Sequence, residues 1–246
     1  MAGRPLRRPR RDAPASAEAA AAIARFLDAL LPDEVRRSED LRETPRRVAE
    51  AWAEDLLDGY ARDPAEILAE KLPSAGRDLV AVTGIDYHSV CPHHLLPSRG
   101  VAHVAYVPGG KVVGFGQLVK LVDALAHRLV LEEDLAREVA DALVQHLGAR
   151  GAACLLEAEQ LCMTVRGEKR AGARAHAEAW AGVLAKDGPV KKRFLDLVNR
   201  SQLGPGRGRG RGRGPRPLGG RGRSPGPGPG PGPGPSPSRR NPGGRP

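Results

Sequence analysis

The stretch that decides the fold is VAHVAYVPGGKVV, residues 101–113. Its valines and tyrosine favour a β-strand up to Val107, and a Pro-Gly-Gly sequence interrupts the pattern before Val112 and Val113. This arrangement predicts a hairpin across the Pro-Gly-Gly turn. Residues 79–88 are rich in valine, isoleucine and tyrosine and predict another strand on the N-terminal side.

Two amphipathic helices are predicted after these strands. Their apolar side chains recur at helical spacing, with one stripe formed by Leu118, Leu121, Val122 and Leu125 and the other by Leu135, Val139, Leu143 and Leu147. Residues 152–158 and 162–165 predict extended structure, and residues 173–181 alternate alanine with larger side chains, as a strand in close contact on one face would. A short helix is predicted over residues 190–198. This order of elements indicates an α+β fold.

Two further helices are predicted on the N-terminal side. The first follows Ser16, a residue type that caps helices, and ends at Pro32. The second begins at Thr44 and Pro45, because a proline fits the first turn of a helix, and it ends at Gly59.

Positive charge is concentrated at the C-terminus. Residues 204–246 contain 16 glycines, 12 prolines, 10 arginines and no acidic residue, and their charge of +10 equals the formal net charge of the whole chain. Residues 1–203 therefore carry no net charge. This balance argues against a folded domain that binds nucleic acid through a basic surface.

The composition divides the chain into three expected segments. Residues 1–15 form a basic arm and residues 204–246 a Gly/Pro/Arg-rich tail, and both are expected to be disordered on either side of a folded domain over residues 16–203. Within that domain, residues 16–60 hold the N-terminal helices and residues 78–182 hold the strands with the paired helices. For the tail we favour a solvated appendage without a specific partner, and nucleic-acid binding through arginine–phosphate contacts is the alternative.

The sequence predicts a cytoplasmic protein with no membrane segment. No stretch reaches about 18 apolar residues without a charge, which a spanning helix requires. The apolar residues 19–31 are interrupted by Arg25 and Asp28, unlike the core of a signal peptide. Three cysteines in a chain of this length favour a reducing compartment.

Residues CPHH, 91–94, together with Cys162, are the candidate metal ligands. Cys91, His94 and Cys162 would supply two thiolates and one imidazole, a set that suits tetrahedral zinc and leaves its fourth position open, as in catalytic sites. The alternative is that the cysteines are buried as small apolar residues and the histidines make ordinary contacts. Cys154 is expected to lie in the core.

Four motifs resemble those of the GTP cyclohydrolase I family. They are TPRRVA at residues 44–49, CPHHLLP at 91–97, VAHVAYVP at 101–108 and CMTVRG at 162–167. The resemblance extends over roughly residues 20–200 and implies the tunnelling fold, in which units of this kind assemble into a ring-shaped barrel. It also implies a homo-oligomer, a decamer of two stacked pentameric rings, with active sites at subunit boundaries.

The resemblance assigns roles around the metal. Zn²⁺ would be held by Cys91, His94 and Cys162, and His93 matches a histidine that transfers protons. The substrate implied is GTP, whose guanine ring is opened by hydrolysis at C8. Release of formate, rearrangement of the sugar and ring closure then give 7,8-dihydroneopterin triphosphate, the first step of tetrahydrofolate or pterin biosynthesis.

The resemblance also assigns residues to the substrate. Glu133 matches the carboxylate that accepts the guanine N–H groups, and Arg166 and Lys120 match positions that bind the triphosphate. Without the resemblance, Glu133 would belong to a solvated first turn of a helix, and Arg166 and Lys120 would be surface charges.

Several positions differ from the family pattern. Gln160 stands where the family has a histidine that acts as an acid or base, and a glutamine amide cannot exchange a proton near neutral pH. His176, on the charged face of the last strand, is the candidate substitute. Pro92 replaces a glutamate between the first cysteine and the two histidines, and Gly116 and Gln117 replace a serine and a lysine.

These differences leave two alternatives to the full reaction. One is a divergent zinc hydrolase that stops at the ring-opened formamide or uses another purine nucleotide. The other is a non-catalytic subunit that binds zinc and nucleotide and regulates an active partner. Retention of all three zinc ligands argues against this second alternative.

Overall fold

The computed structural model describes residues 13–203, so the predictions for most of the basic arm and for the tail lie outside the described residues. The helices are α1 (Ala13–Leu30), α2 (Asp33–Arg36), α3 (Thr44–Ala51), α4 (Pro64–Ile67), α5 (Phe115–Ala126), α6 (Glu132–Ala142), α7 (Leu161–Thr164) and α8 (Pro189–Leu203). The strands are β1 (Leu72–Pro73), β2 (Val80–Val90), β3 (Pro97–Val107), β4 (Lys111–Val112), β5 (Gly151–Gln160) and β6 (Ala175–Gly182). Single π-helical turns, Trp52–Leu56 and Leu143–Leu147, extend α3 and α6.

A four-stranded antiparallel sheet carries the core, with the strand order β2-β3-β5-β6. Helices α5 and α6 pack on one face of this sheet through both predicted apolar stripes, whose eight residues are all at most 3% exposed. Ala177, Ala179 and Ala181 of β6 contact the same core, because small side chains let the helices approach closely. The predicted α+β class is confirmed.

The predicted hairpin across the Pro-Gly-Gly turn is wrong. Val112 pairs with Leu72 in a separate two-stranded sheet, whereas β3 pairs with β2 on one side and β5 on the other. Both edges of β3 are therefore taken by longer strands. The turn passes so close to the end of α6 that a Cβ atom on Gly109 would lie 2.0 Å from the Gly148 carbonyl oxygen.

Helix α8 covers part of the opposite face of the sheet. Phe194 and Val198 pack there with Leu184, and the Phe194 ring lies 6.0 Å from that of Trp180 on β6. The helix predicted for residues 190–198 is confirmed, although it extends over Pro189–Leu203.

The N-terminal helices join the core near Gly59. Helix α1 begins at Ala13, ahead of the predicted cap Ser16, and Glu43 rather than Thr44 is the cap of α3. Gly59 is buried, and a Cβ atom at this position would lie 2.5 Å from the Ala124 carbonyl oxygen of α5, so only glycine fits. Among residues 13–203, no helix is long and apolar enough to span a membrane.

Candidate metal centre and substrate site

The three predicted metal ligands converge in the structure. The sulfur atoms of Cys91 and Cys162 and a ring nitrogen of His94 all lie within 4.8 Å of one another. Sheet topology explains how cysteines so far apart in sequence meet. Strands β2 and β5 are both antiparallel to β3, so they run in the same direction and their C-terminal ends lie at the same end of the sheet.

A tight turn between β2 and β3 positions Cys91 and His94. The Leu95 amide donates to the Cys91 carbonyl at 2.9 Å, and the Cys91 amide donates to the Leu96 carbonyl at 3.0 Å. Leu95 closes the turn with a backbone φ of +54°, a conformation that residues other than glycine rarely adopt. The backbone thus fixes the two ligands independently of any bound ion.

Cys162 comes from a helical turn and not from the predicted strand over residues 162–165, which is wrong. Strand β5 ends at Gln160, and α7 follows at once with the Val165 amide bonded to the Leu161 carbonyl at 3.0 Å. Residues 162–165 have the composition of a strand, but within residues 13–203 no partner strand continues beside them.

The electrostatics of the two thiols fit a bound cation. Burial, and then the neighbouring Cys91 sulfur, raise the pKa of the Cys162 thiol, while the guanidinium of Arg166 lowers it. Two thiolates at this separation repel each other unless a cation lies between them. Two sulfur donors and one imidazole are the ligand set that zinc prefers, so these residues fit Zn²⁺ with one open position.

His93 lies beside the metal ligands on the same turn. Its side chain is exposed, and its ring lies 6.2 Å from the His94 ring in an edge-on arrangement. A solvent-accessible imidazole next to a ligand can exchange protons with a bound substrate.

Gln160 contacts a buried acid that the sequence analysis missed. Its Nε2 donates to Glu132 Oε1 at 2.7 Å, and Tyr87 Oη donates to Glu132 Oε2 at 2.5 Å. Ser89 and Ser98 lie 3.2 and 3.1 Å from Glu132 Oε1. One signal could have identified Glu132, because it precedes Leu135 by three residues and Val139 by seven and so belongs to the buried stripe of α6.

Comparisons with known proteins show the family of this chain. The model of the GTP cyclohydrolase I family matches residues 19–199. This chain belongs to the GTP cyclohydrolase I family. A GTP cyclohydrolase 1 of Chromobacterium violaceum is 45% identical over 64% of this chain and 76% of its own length, and one of Bacillus cytotoxicus is 40% identical over 72% of this chain and 93% of its own length.

Among solved structures, the archaeosine synthase QueF-Like in its apo form matches 46% of this chain and 97% of its own length, with a TM-score of 0.36 and 20% sequence identity. That similarity is too low to support an inference about this member of the GTP cyclohydrolase I family.

The substrate residues expected of a GTP cyclohydrolase I family member are all exposed. Glu133 points outward next to the buried Glu132, and Arg166 and Lys120 also present their side chains to solvent. Arg166 lies close enough to Cys162 to affect its thiol, whereas Lys120 lies on α5. Exposure leaves these three charged groups accessible to a ligand.

Gln117 has a structural role where the family pattern has a lysine. Its Nε2 donates to the backbone carbonyls of Ile67 and Glu70 at 2.9 and 3.0 Å, and its Oε1 accepts from the Gly114 amide at 2.8 Å. The side chain therefore connects the start of α5 to the last residue of α4 and to the segment that follows it.

His176 lies on the other face of the sheet from Gln160. It pairs with Glu157, and the neighbouring pair of Leu156 with Ala177 faces the helices. Because side chains alternate along a strand, Gln160 shares the face of Leu156 and His176 does not. The structure does not bring His176 to Gln160 within one chain.

Proposed function

We propose that this chain catalyses the GTP cyclohydrolase I reaction, the hydrolysis of GTP at C8 with release of formate to give 7,8-dihydroneopterin triphosphate. The observation that carries the proposal is the convergence of Cys91, His94 and Cys162 within 4.8 Å in a member of this family. All three ligand types are those of a zinc site that keeps a position open for chemistry.

The residues around the metal centre have separate roles in the proposed reaction. Zinc held by these ligands supplies Lewis-acid activation of water. His93 moves protons as the imidazole ring of the substrate opens, since it is the exposed imidazole on the metal-binding turn that is not a predicted ligand. Glu133 accepts the guanine N–H groups, and Arg166 and Lys120 neutralise the triphosphate. Glu132 does not compete for the guanine, because both of its oxygens already accept hydrogen bonds.

One observation favours a second outcome of the same chemistry. The Gln160 amide cannot act as a general acid or base near neutral pH, and it donates a hydrogen bond to Glu132. Loss of one proton-transfer group typically lowers a rate by about 100- to 10,000-fold. The alternative function is therefore hydrolysis that stops, or pauses, at the ring-opened formamide.

We also propose that the protein assembles as a decamer of two pentameric rings with the tunnelling fold. Strands β2 and β6 are the outer strands of the sheet, and apart from a bridge between Val90 and Leu129 their outer edges have no partner strand within residues 13–203. Pairing such edges between subunits removes unsatisfied backbone groups and closes a barrel. Three free cysteines suit a reducing compartment, the cytoplasm.

The test is incubation of the zinc-loaded full chain with GTP, with products identified by mass and by the fluorescence of the oxidised pterin. We expect consumption of GTP and formation of dihydroneopterin triphosphate, with the formamide accumulating if the later steps are slow. Zinc-loaded protein that leaves GTP unchanged would overturn the proposed function. Light scattering on the same sample should give a mass of about ten chains, and a monomer would contradict the ring assembly.

A further inference from the structure

A row of polar side chains lies directly behind the metal centre. Ser89 of β2 pairs with Ser98 of β3, and Ser98 pairs with Gln160 of β5, so the three residues form one rung of the sheet. Each metal-binding cysteine lies two residues beyond a member of this rung, Cys91 after Ser89 and Cys162 after Gln160. A change in the rung is therefore close to the chemistry.

The rung is built around the carboxylate of Glu132. Glu132 is the first residue of α6 and is only 7% exposed. Its hydrogen-bond partners Tyr87, Ser89, Ser98 and Gln160 are all neutral groups that can donate. Donated protons and the positive end of the helix dipole are what stabilise a buried carboxylate that has no cation as a partner.

Counting protons shows how the contacts are arranged. The hydroxyls of Ser89 and Ser98 lie 2.5 Å apart and both lie near Glu132 Oε1. These three contacts share only two hydroxyl protons, one from each serine. One serine therefore donates to the other, which in turn donates to the carboxylate. Burial, and then the charge of Glu132, raise the pKa of the Tyr87 phenol, so Tyr87 keeps its proton and remains a donor.

The hydrogen bond to Glu132 also determines the orientation of the Gln160 side-chain amide. An ionised carboxylate only accepts hydrogen bonds, so the group of Gln160 that lies 2.7 Å from Glu132 Oε1 is the NH₂ group. The amide carbonyl oxygen is then directed away from Glu132. Gln160 is half-buried at the end of β5, next to the turn that carries Cys162.

We propose that Glu132 is a positioning residue that holds the Gln160 amide with its nitrogen inward, so that position 160 serves the reaction as a fixed hydrogen-bond acceptor beside the metal centre. This inference rests on the proposed function. The acceptor orients a donor group of the reacting guanine or of water, and proton transfer is left to other residues. Glu132 acts only through Gln160.

The test exchanges the two side chains in the zinc-loaded full chain. Gln160→Glu alone places two carboxylates at hydrogen-bond distance, and we expect a lower Tm and a loss of turnover of about 100-fold. Glu132→Gln alone frees the amide at position 160 to turn, and we expect kcat to fall by about tenfold or more while KM for GTP and zinc content stay unchanged.

The double variant Glu132→Gln with Gln160→Glu is the decisive one. It restores one amide and one carboxylate, and a carboxylate oxygen at position 160 accepts hydrogen bonds as the amide carbonyl does. We expect Tm to return close to that of the unmodified protein and kcat to recover to within about tenfold of it. Glu138→Gln, on the same helix but facing Arg128, is the matched control and should leave both quantities unchanged.

The outcomes separate this inference from the proposed function. Recovery of Tm without recovery of kcat would show a structural pair with no part in the reaction and would overturn the inference. Loss of zinc from Glu132→Gln would also overturn it, because the network would then support the metal and not the amide. If the unmodified protein leaves GTP unchanged, the proposed function fails instead.

Discussion

The predicted metal ligands match the family pattern, whereas the adjacent rung of the sheet, Ser89, Ser98 and Gln160, departs from it at Gln160. At the metal centre all three expected ligands converge, and the turn between β2 and β3 positions two of them, Cys91 and His94. In the rung, a glutamine stands where the family pattern has a histidine, and it is hydrogen-bonded to a buried glutamate. The comparison teaches that the predicted metal ligands and position 160 belong to separate parts of the structure, so one can change while the other stays.

The largest effect is expected from the three predicted metal ligands. Cys91→Ala, His94→Ala and Cys162→Ser should each reduce zinc from about one ion per chain to almost none, because three ligands are the minimum for a site of this type. GTP consumption should fall below detection with it. Metal analysis and turnover measure this, and Cys154→Ala is the control, since Cys154 is buried in the core and is not one of the three converging ligands. Full zinc in Cys162→Ser would refute the site.

The next largest effect is expected at the rung. Gln160→His adds a proton-transfer group while a ring N–H can still donate to Glu132, so pterin formation should become about 100-fold faster. Zinc content should not change. The measurement is the rate of pterin fluorescence with GTP in excess. A variant no faster than the unmodified protein would mean that position 160 does not limit the reaction.

Neighbouring acids on α6 should respond in opposite ways. Glu132→Leu leaves buried donors without an acceptor and should cost about 3 kcal/mol, seen as a fall in Tm of roughly 5–10 °C. Glu133→Gln removes an exposed charge and should leave Tm unchanged, while KM for GTP rises about tenfold because the guanine loses a charged acceptor. Thermal unfolding and steady-state kinetics on both variants make the comparison. The reverse pattern would exchange the roles assigned to the two acids.

A smaller effect is expected at His176. Its side chain lies on the sheet face opposite Gln160, so we expect no role for it in proton transfer. His176→Ala should therefore change kcat by less than about twofold. Steady-state turnover of GTP measures this. A loss of activity with zinc retained would instead identify His176 as the substitute for the family histidine, acting at a site shared between subunits.

The smallest effect is expected from the tail. Truncation after Leu203 should leave assembly, zinc content and GTP turnover unchanged, because the Gly/Pro/Arg-rich tail has one large aliphatic side chain, Leu218, and too little apolar surface to form a core. Light scattering and kinetics on the truncated chain test this. Binding of RNA at physiological salt that disappears on truncation would instead support a nucleic-acid role for the arginines.

Much of the site could be predicted because its signals are local. The Cys-x-x-His spacing of Cys91 and His94 favours metal ligands, and the stripes at Leu118 and Leu135 follow from helical periodicity alone. The buried acid was missed because three consecutive acidic residues at a helix start look like a solvated turn. One step along a helix turns a side chain by about 100°, which separates the buried Glu132 from the exposed Glu133.

The sequence by itself indicated the Cys91 and His94 pair, the helical stripes and the alternation of β6, since each depends on residue type and spacing within a short segment. Only the tertiary structure decided which strand pairs with Val112, which face His176 occupies relative to Gln160, and that Cys162 lies in a helical turn. These outcomes depend on which strand edges are already taken and on which side of the sheet the helices pack. Such choices are made between segments distant in the chain, where local periodicity carries no information.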